Sequence, residues 1–171
     1  DGRPISVARA AAMGARLIET IRIPELRRLV RDVPWDAVVL QDFSATPLNI
    51  GMRLASRTAI RRLIDLARPA PVVLYPHWPS APGHRVYGAG PAPLGSVVPD
   101  NLQDYARRAE AHYAALADAH GARLAPVLRH WVRAVDQGQS LYAADRHHAN
   151  DAGAALAAEA VWGTLADTIP A

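Results

Sequence analysis

Four short apolar runs stand out along the chain, at residues 5–8, 37–41, 71–75 and 123–127. They are too short for independent helices, and they read as buried strands. The clearest is Trp35-Asp36-Ala37-Val38-Val39-Leu40-Gln41, which is continuous and β-branched and is bounded by Pro34 and Asp42. Between the runs the apolar period becomes helical. Leu17, Ile21, Leu26 and Leu29 keep a rough helical spacing that Pro24 interrupts. Leu54, Ile60, Leu63, Ile64 and Leu66 predict a helix that stops before Pro69. Leu102, Tyr105, Ala109, Tyr113 and Leu116 predict another, ending near Gly121. Residues 152–166 form an Ala-rich last helix, with Asn150 or Asp151 as its N-cap. Strands alternating with helices predict an α/β fold whose mostly parallel sheet is covered on both faces. Ligands of such sheets gather at the carboxyl ends of the strands. The residues just after each run are therefore the places to look for chemistry.

The chain has 171 residues, half of them hydrophobic and a fifth charged, which excludes disorder and fits one domain over residues 1–171. It has no Cys, which removes disulfides, zinc–thiolate sites, iron–sulfur clusters and thiol nucleophiles. The net charge is +3, and all nineteen basic residues are Arg. These are scattered over helical segments, as at Arg27, Arg28, Arg31, Arg61 and Arg62. That is the pattern of solvated helix faces, not of a dense basic stripe with interleaved aromatics, so no nucleic-acid partner is expected. No apolar run approaches the ~20 residues of a membrane span. Residues 76–99 are rich in Pro and Gly and carry His77, Trp78, His84 and Tyr87. A loop of that length is expected to be functional or mobile.

Several constellations come directly after the runs. Asp145-Arg146-His147-His148 precedes the last helix. An Asp three residues before a His can fold back onto one ring nitrogen, fix the tautomer and leave the other nitrogen as a general base. The same spacing also suits an Asp that caps a turn between solvated imidazoles. Gln41, Asp42 and Ser44 end the clearest strand, where Gln41 offers amide donors for an oxyanion or simply holds the loop. Gly14, within Met13-Gly14-Ala15-Arg16-Leu17, allows close backbone approach before a helix, or is a plain turn. Trp78 comes after the third run as a platform for a sugar or acyl group, or as an aromatic packed on its own loop. No metal or cofactor is expected. The histidines lack ligand spacing apart from the adjacent His147-His148, and no phosphate-cradling glycine motif is present.

Taken in order, these blocks resemble the SGNH (GDSL-type) serine hydrolases, from about Ile5 to the last helix. The nearest likeness is to a bacterial subgroup with a Trp-Asp-x-Val-Val-Leu-Gln-x-x-Ser block, matched by Trp35 to Ser44. Pro71 to Tyr75 followed by Trp78, then Leu124 to Val127, Leu141-Tyr142, and Asp145 with His148 match later blocks. Asn150 and Gly153 stand where the family starts its last helix. The resemblance implies a three-layer α/β/α sandwich with a flavodoxin-like sheet, and ester hydrolysis through an acyl-enzyme. It implies His148 as base, Asp145 as its orienting partner and the Gly14 N–H as an oxyanion donor. Gln41 stands near the third-block donor, a place that Ser44 or Asp42 also fits.

The family's first block, an apolar strand ending in Gly-Asp-Ser or Gly-Asn-Ser, has no match. Ser6, Ser56, Ser80, Ser96 and Ser140 lack the strand-turn context of a nucleophile. The expectation is that the first strand, the nucleophile turn and the first helix lie upstream of Asp1, and that the 171 residues alone are inactive. The expected function is a serine ester hydrolase acting on a small-molecule or carbohydrate ester, with carbohydrate acetyl esters as the class the resemblance suggests. The alternative is a non-catalytic ligand-binding module of the same fold. A nucleotide-binding flavodoxin-like domain is disfavoured by the lack of a phosphate loop.

Overall fold

The computed structural model describes residues 5–11, 14–88 and 92–169. Residues 1–4 and Met13 of the glycine turn lie outside the described residues. Three parallel strands form the sheet, β1 (Val38–Leu40), β2 (Val72–Leu74) and β3 (Arg123–Leu124), in the order β1-β2-β3. The helices are α1 (Leu17–Thr20), α2 (Pro24–Asp32), α3 (Ile50–Ala67), α4 (Leu102–His120), α5 (Val127–Asp136) and α6 (Asp151–Ala166).

The alternation of side chains along the strands sorts the helices into two layers. Leu40, Val72 and Leu74 face one side, packed with Leu17, Ile21, Leu26, Ile60, Leu63, Tyr113 and Leu116 from α1 to α4. Val73 faces the other side with Trp131, Ala134, Leu141, Ala157 and Ala160 from α5, α6 and the segment between them. The result is the expected α/β sandwich. Val39 is the register partner of Val73 but is 39% exposed, so the α5/α6 layer leaves this side of β1 uncovered.

Local chemistry sets most boundaries. Pro24 occupies the first turn of α2, where its missing N–H is harmless, and so divides the rough helical pattern into two helices. Asn49, Asn101 and Asn150 cap α3, α4 and α6, each accepting from a backbone N–H three residues on. Gly121 ends α4 at φ +67°, a left-handed value that glycine adopts without strain. The final helix therefore starts as expected, with Asn150 as the cap.

Two expectations change. Residues 5–8 are not a strand: residues 5–11 carry no regular structure, with Ile5 66% and Val7 84% exposed. A strand exists only through a ladder partner, and no described strand lies beside this run. The fourth run is also shorter than its apolar character suggests. Pro126 is the N-cap of α5, and Val127 is its first residue. A ten-residue helix thus replaces the end of the expected strand.

Candidate active site

Parallel strands place 41–44, 75–80 and 125–126 at one end of the sheet. The loop after β2 runs back over the segment that leads into α6. Four contacts clip the two together. The Ala81 N–H donates to the Arg146 carbonyl at 2.9 Å, and the Arg146 guanidinium donates to the Pro82 carbonyl. The Trp78 indole N–H donates to the His147 carbonyl at 3.0 Å. The Ser80 hydroxyl and His147 Nδ1 share a bond of 2.8 Å.

Within the clipped segment, Asp145 and His148 meet as their spacing suggests. His148 Nδ1 donates to one Asp145 carboxylate oxygen at 2.5 Å. The other oxygen accepts the backbone N–H groups of His147 and His148, both at 2.9 Å. The carboxyl is held well below the usual carboxylate range, chiefly by the His148 bond and then by the two backbone donors. Because an ionised carboxylate only accepts, the His148 proton sits on Nδ1 and Nε2 carries the lone pair. The His148 side chain is 70% exposed. Arg146 completes the turn at φ +61°, a left-handed conformation unusual for a side chain of this size, and its N–H donates to the Ala143 carbonyl. The segment returns through the Ala143 N–H to His148 carbonyl bond and the Asn150 N–H to Leu141 carbonyl bond, which lead into the α6 cap.

An aromatic stack supports this turn. Trp78 lies on Trp131, whose ring N–H donates to the Tyr142 hydroxyl at 2.8 Å. Trp78 therefore packs on the loop and the core below it, the second of the two roles its position allowed. Around it stand imidazoles that the sequence did not bring together. The His147 ring stacks with His77 and with His84 and meets His148 edge-on. His77 Nδ1 donates to the Trp78 carbonyl at 2.6 Å, and burial lowers the His77 pKa to about 4. Burial, then the charges of His148 and His84, push His147 down as well.

The remaining candidates divide. The carboxylate of Asp42 is buried and accepts from Leu17 N–H at 2.9 Å and Phe43 N–H at 2.8 Å. It thereby ties the carboxyl end of β1 to the start of α1. Asp42 is thus an acceptor already occupied by main chain, not an oxyanion donor. Gln41 is exposed beside Tyr75. Burial pushes the Tyr75 phenol up to about 12, and a hydrogen bond with Gln41 acts in the opposite direction. Ser44 contributes its carbonyl, which accepts from the Tyr105 hydroxyl at 2.8 Å. Gly14 sits in an exposed turn at φ +70°, three residues before the Leu17 amide that Asp42 binds. No group of three metal-ligating side chains is present among the described residues. A cavity of about 760 Å³ lies between α4 and α5 among Arg107, Glu110, Leu128, Arg129 and Arg133, and contains none of these candidates.

No protein-family model and no curated protein matches the chain. Among solved structures it is similar to a chain described as "a putative SGNH hydrolase from Slackia heliotrinireducens". The identity is 26% and the TM-score 0.68, over 89% of this chain and 80% of that one. The fold is thus the α/β architecture of that SGNH-type neighbour. No described helix is long and apolar enough to cross a membrane.

Proposed function

We propose that the chain carries the acid–base half of a serine ester hydrolase. The observation behind this reading is the 2.5 Å bond from His148 Nδ1 to Asp145, on a ring whose side chain stays 70% exposed. His148 Nε2 removes the proton from a serine hydroxyl as its oxygen attacks the ester carbonyl carbon. Asp145 holds the tautomer and stabilises the imidazolium that forms. The tetrahedral oxyanion takes hydrogen bonds from the Gly14 N–H and from a side-chain donor at Gln41 or Ser44. Collapse expels the alcohol, which receives the proton from His148. Water then hydrolyses the acyl-serine by the same route in reverse.

The nucleophile in this reading lies outside the 171 residues. Ser80, the serine that bonds an imidazole here, is buried and faces His147 rather than His148. The uncovered Val39 side and the outer edge of β1 suit a further parallel strand, whose carboxyl end would reach the same end of the sheet. The SGNH-type neighbour supports hydrolase chemistry. Carbohydrate acetyl esters are the proposed substrates, with Trp78 and Tyr87 close to the dyad segment. The second reading is a non-catalytic ligand-binding module. It is favoured by the lack of a serine bonded to His148 among the described residues.

The test is fluorophosphonate labelling with peptide mapping, on the 171-residue chain and on the product of the full natural reading frame. The expected result is label on a serine outside these residues, with turnover of short-chain aryl esters by the longer product alone. Label on Ser44 or Ser80 would overturn the placement of the nucleophile. A longer product that neither labels nor hydrolyses esters would leave the binding module as the reading.

A further inference from the structure

Ser80 is 5% exposed, and its hydroxyl has His147 Nδ1 as partner at 2.8 Å. Its own backbone is pinned, because the Tyr87 hydroxyl donates to the Ser80 carbonyl at 2.7 Å. The neighbouring Ala81 N–H holds Arg146, inside the dyad segment. Ser80 is therefore a fixed point, and the ring it holds is adjacent to the dyad histidine. The His147 and His148 rings meet edge to face, with centroids 5.1 Å apart and planes at 71°. His77 and His84 stack with the same His147 ring at 5.6 and 5.7 Å, which keeps it from swinging outward.

His148, by contrast, has little else to orient it. Asp145 fixes one ring edge through Nδ1, but a single hydrogen bond leaves the plane free to rock about that contact. The His147 face supplies a second constraint. The buried Ser80 hydroxyl holds the Nδ1 edge of the His147 ring and so sets the direction in which that ring meets His148.

We infer that Ser80 is a positioning residue that acts through His147 on the ring of His148. The inference rests on His148 as the base, and it assigns a role to a serine that takes no part in bond making. The charged and titratable groups facing the pair are His77 and His84 from the loop after β2, and Asp145 and Arg146 from the segment itself.

The experiment is a ¹⁵N-imidazole NMR titration of the 171-residue chain, which needs no turnover. In Ser80→Ala the His147 ring resonances should move from their wild-type positions, and the His148 midpoint should change by roughly 0.3–1 pH unit as the edge-to-face contact loosens. Ser80→Thr, which keeps the hydroxyl, should restore both signals. His147→Leu, which removes the contact altogether, should change the His148 midpoint as well, and adding Ser80→Ala to it should change nothing further. Where the full natural product hydrolyses esters, Ser80→Ala should lower kcat about three- to tenfold with KM unchanged, a loss confined to the chemical step.

An unchanged His148 midpoint in Ser80→Ala would overturn the inference, as would a further shift on combining the two changes. Should Ser80→Ala not fold, an unchanged midpoint in His147→Leu overturns it equally. Failure of the hydrolase reading looks different: the titration coupling persists while the full natural product shows no turnover.

Discussion

The indole of Trp78 lies flat on that of Trp131, with centroids 4.9 Å apart and planes 8° from parallel. Trp131 is fully buried, so the stack joins the core under α6 to the loop that grips His147. Trp78→Ala should therefore destabilise the chain by roughly 1–3 kcal/mol, less than a fully buried tryptophan would. Trp78→Phe keeps a ring on Trp131 but loses the N–H to the His147 carbonyl, and should cost about 1 kcal/mol. Urea unfolding distinguishes the cases. A Trp78→Ala chain as stable as the wild type would mean that the indole serves only the surface.

Gly153 is predicted to tolerate no side chain. A Cβ at this position would run into the Leu141 carbonyl and the Trp131 ring, both well inside contact distance. Backbone cannot move aside cheaply, so the start of α6 would have to lift away from the segment that carries Asp145 and His148. Gly153→Ala should cost roughly 1–3 kcal/mol, despite alanine's better helix propensity. Thermal unfolding measures this, and a raised Tm would refute the close approach. Gly163, where an added Cβ meets nothing within 4 Å, is the control: Gly163→Ala should be neutral or stabilising.

In the full natural product, His148→Ala should lower kcat by roughly 10³–10⁶, and Asp145→Asn by roughly 10²–10⁴. The double change should be hardly slower than His148→Ala alone, because both residues serve one proton transfer. Steady-state kinetics on an aryl ester checks this. A double mutant slowed by the full product of the single losses would break the dyad assignment.

Stability should fall as the solution is acidified from pH 6.5 to 4. His77 and His112 both have folded-state pKa values lowered to about 4, mainly by burial. The unfolded chain thus binds these protons first, at an ordinary histidine value near 6.5. The stability tied to the neutral rings is complete above that value and is lost on descent toward 4. A loss of roughly 1–3 kcal/mol per ring sets the scale. Urea midpoints at pH 7 and pH 4.5 should differ accordingly, and His77→Gln should flatten the slope. An unchanged slope would mean that the His77 ring is solvated.

Much of this architecture is legible from local pattern. The strands β1 and β2 lie in continuous apolar runs, and α6 begins at the asparagine that its sequence offers as a cap. The Asp145–His148 bond spans three residues, so spacing alone anticipates it. Residues 5–8 mislead because an apolar run specifies a strand only when a neighbour completes its ladder. Helix α5 is missed because Leu128, Trp131 and Ala134 come so closely after a strand-like run that its helical period is masked. The Ser80–His147 pair spans 67 residues, and no local rule reaches that far. The adjacent His147-His148 and the serine inside the His-rich loop were its faint signals.

Among the described residues, the hydrogen bonds that shape the Asp145–His148 turn come from residues 78–82 and 141–150. The open flank of β1 contributes none of them. The Asp145–His148 pair is therefore a self-contained module, assembled whether or not anything occupies that flank. Damage at the Val39 edge would leave its geometry intact, whereas damage to the Trp78 loop would dismantle it while the sheet survives.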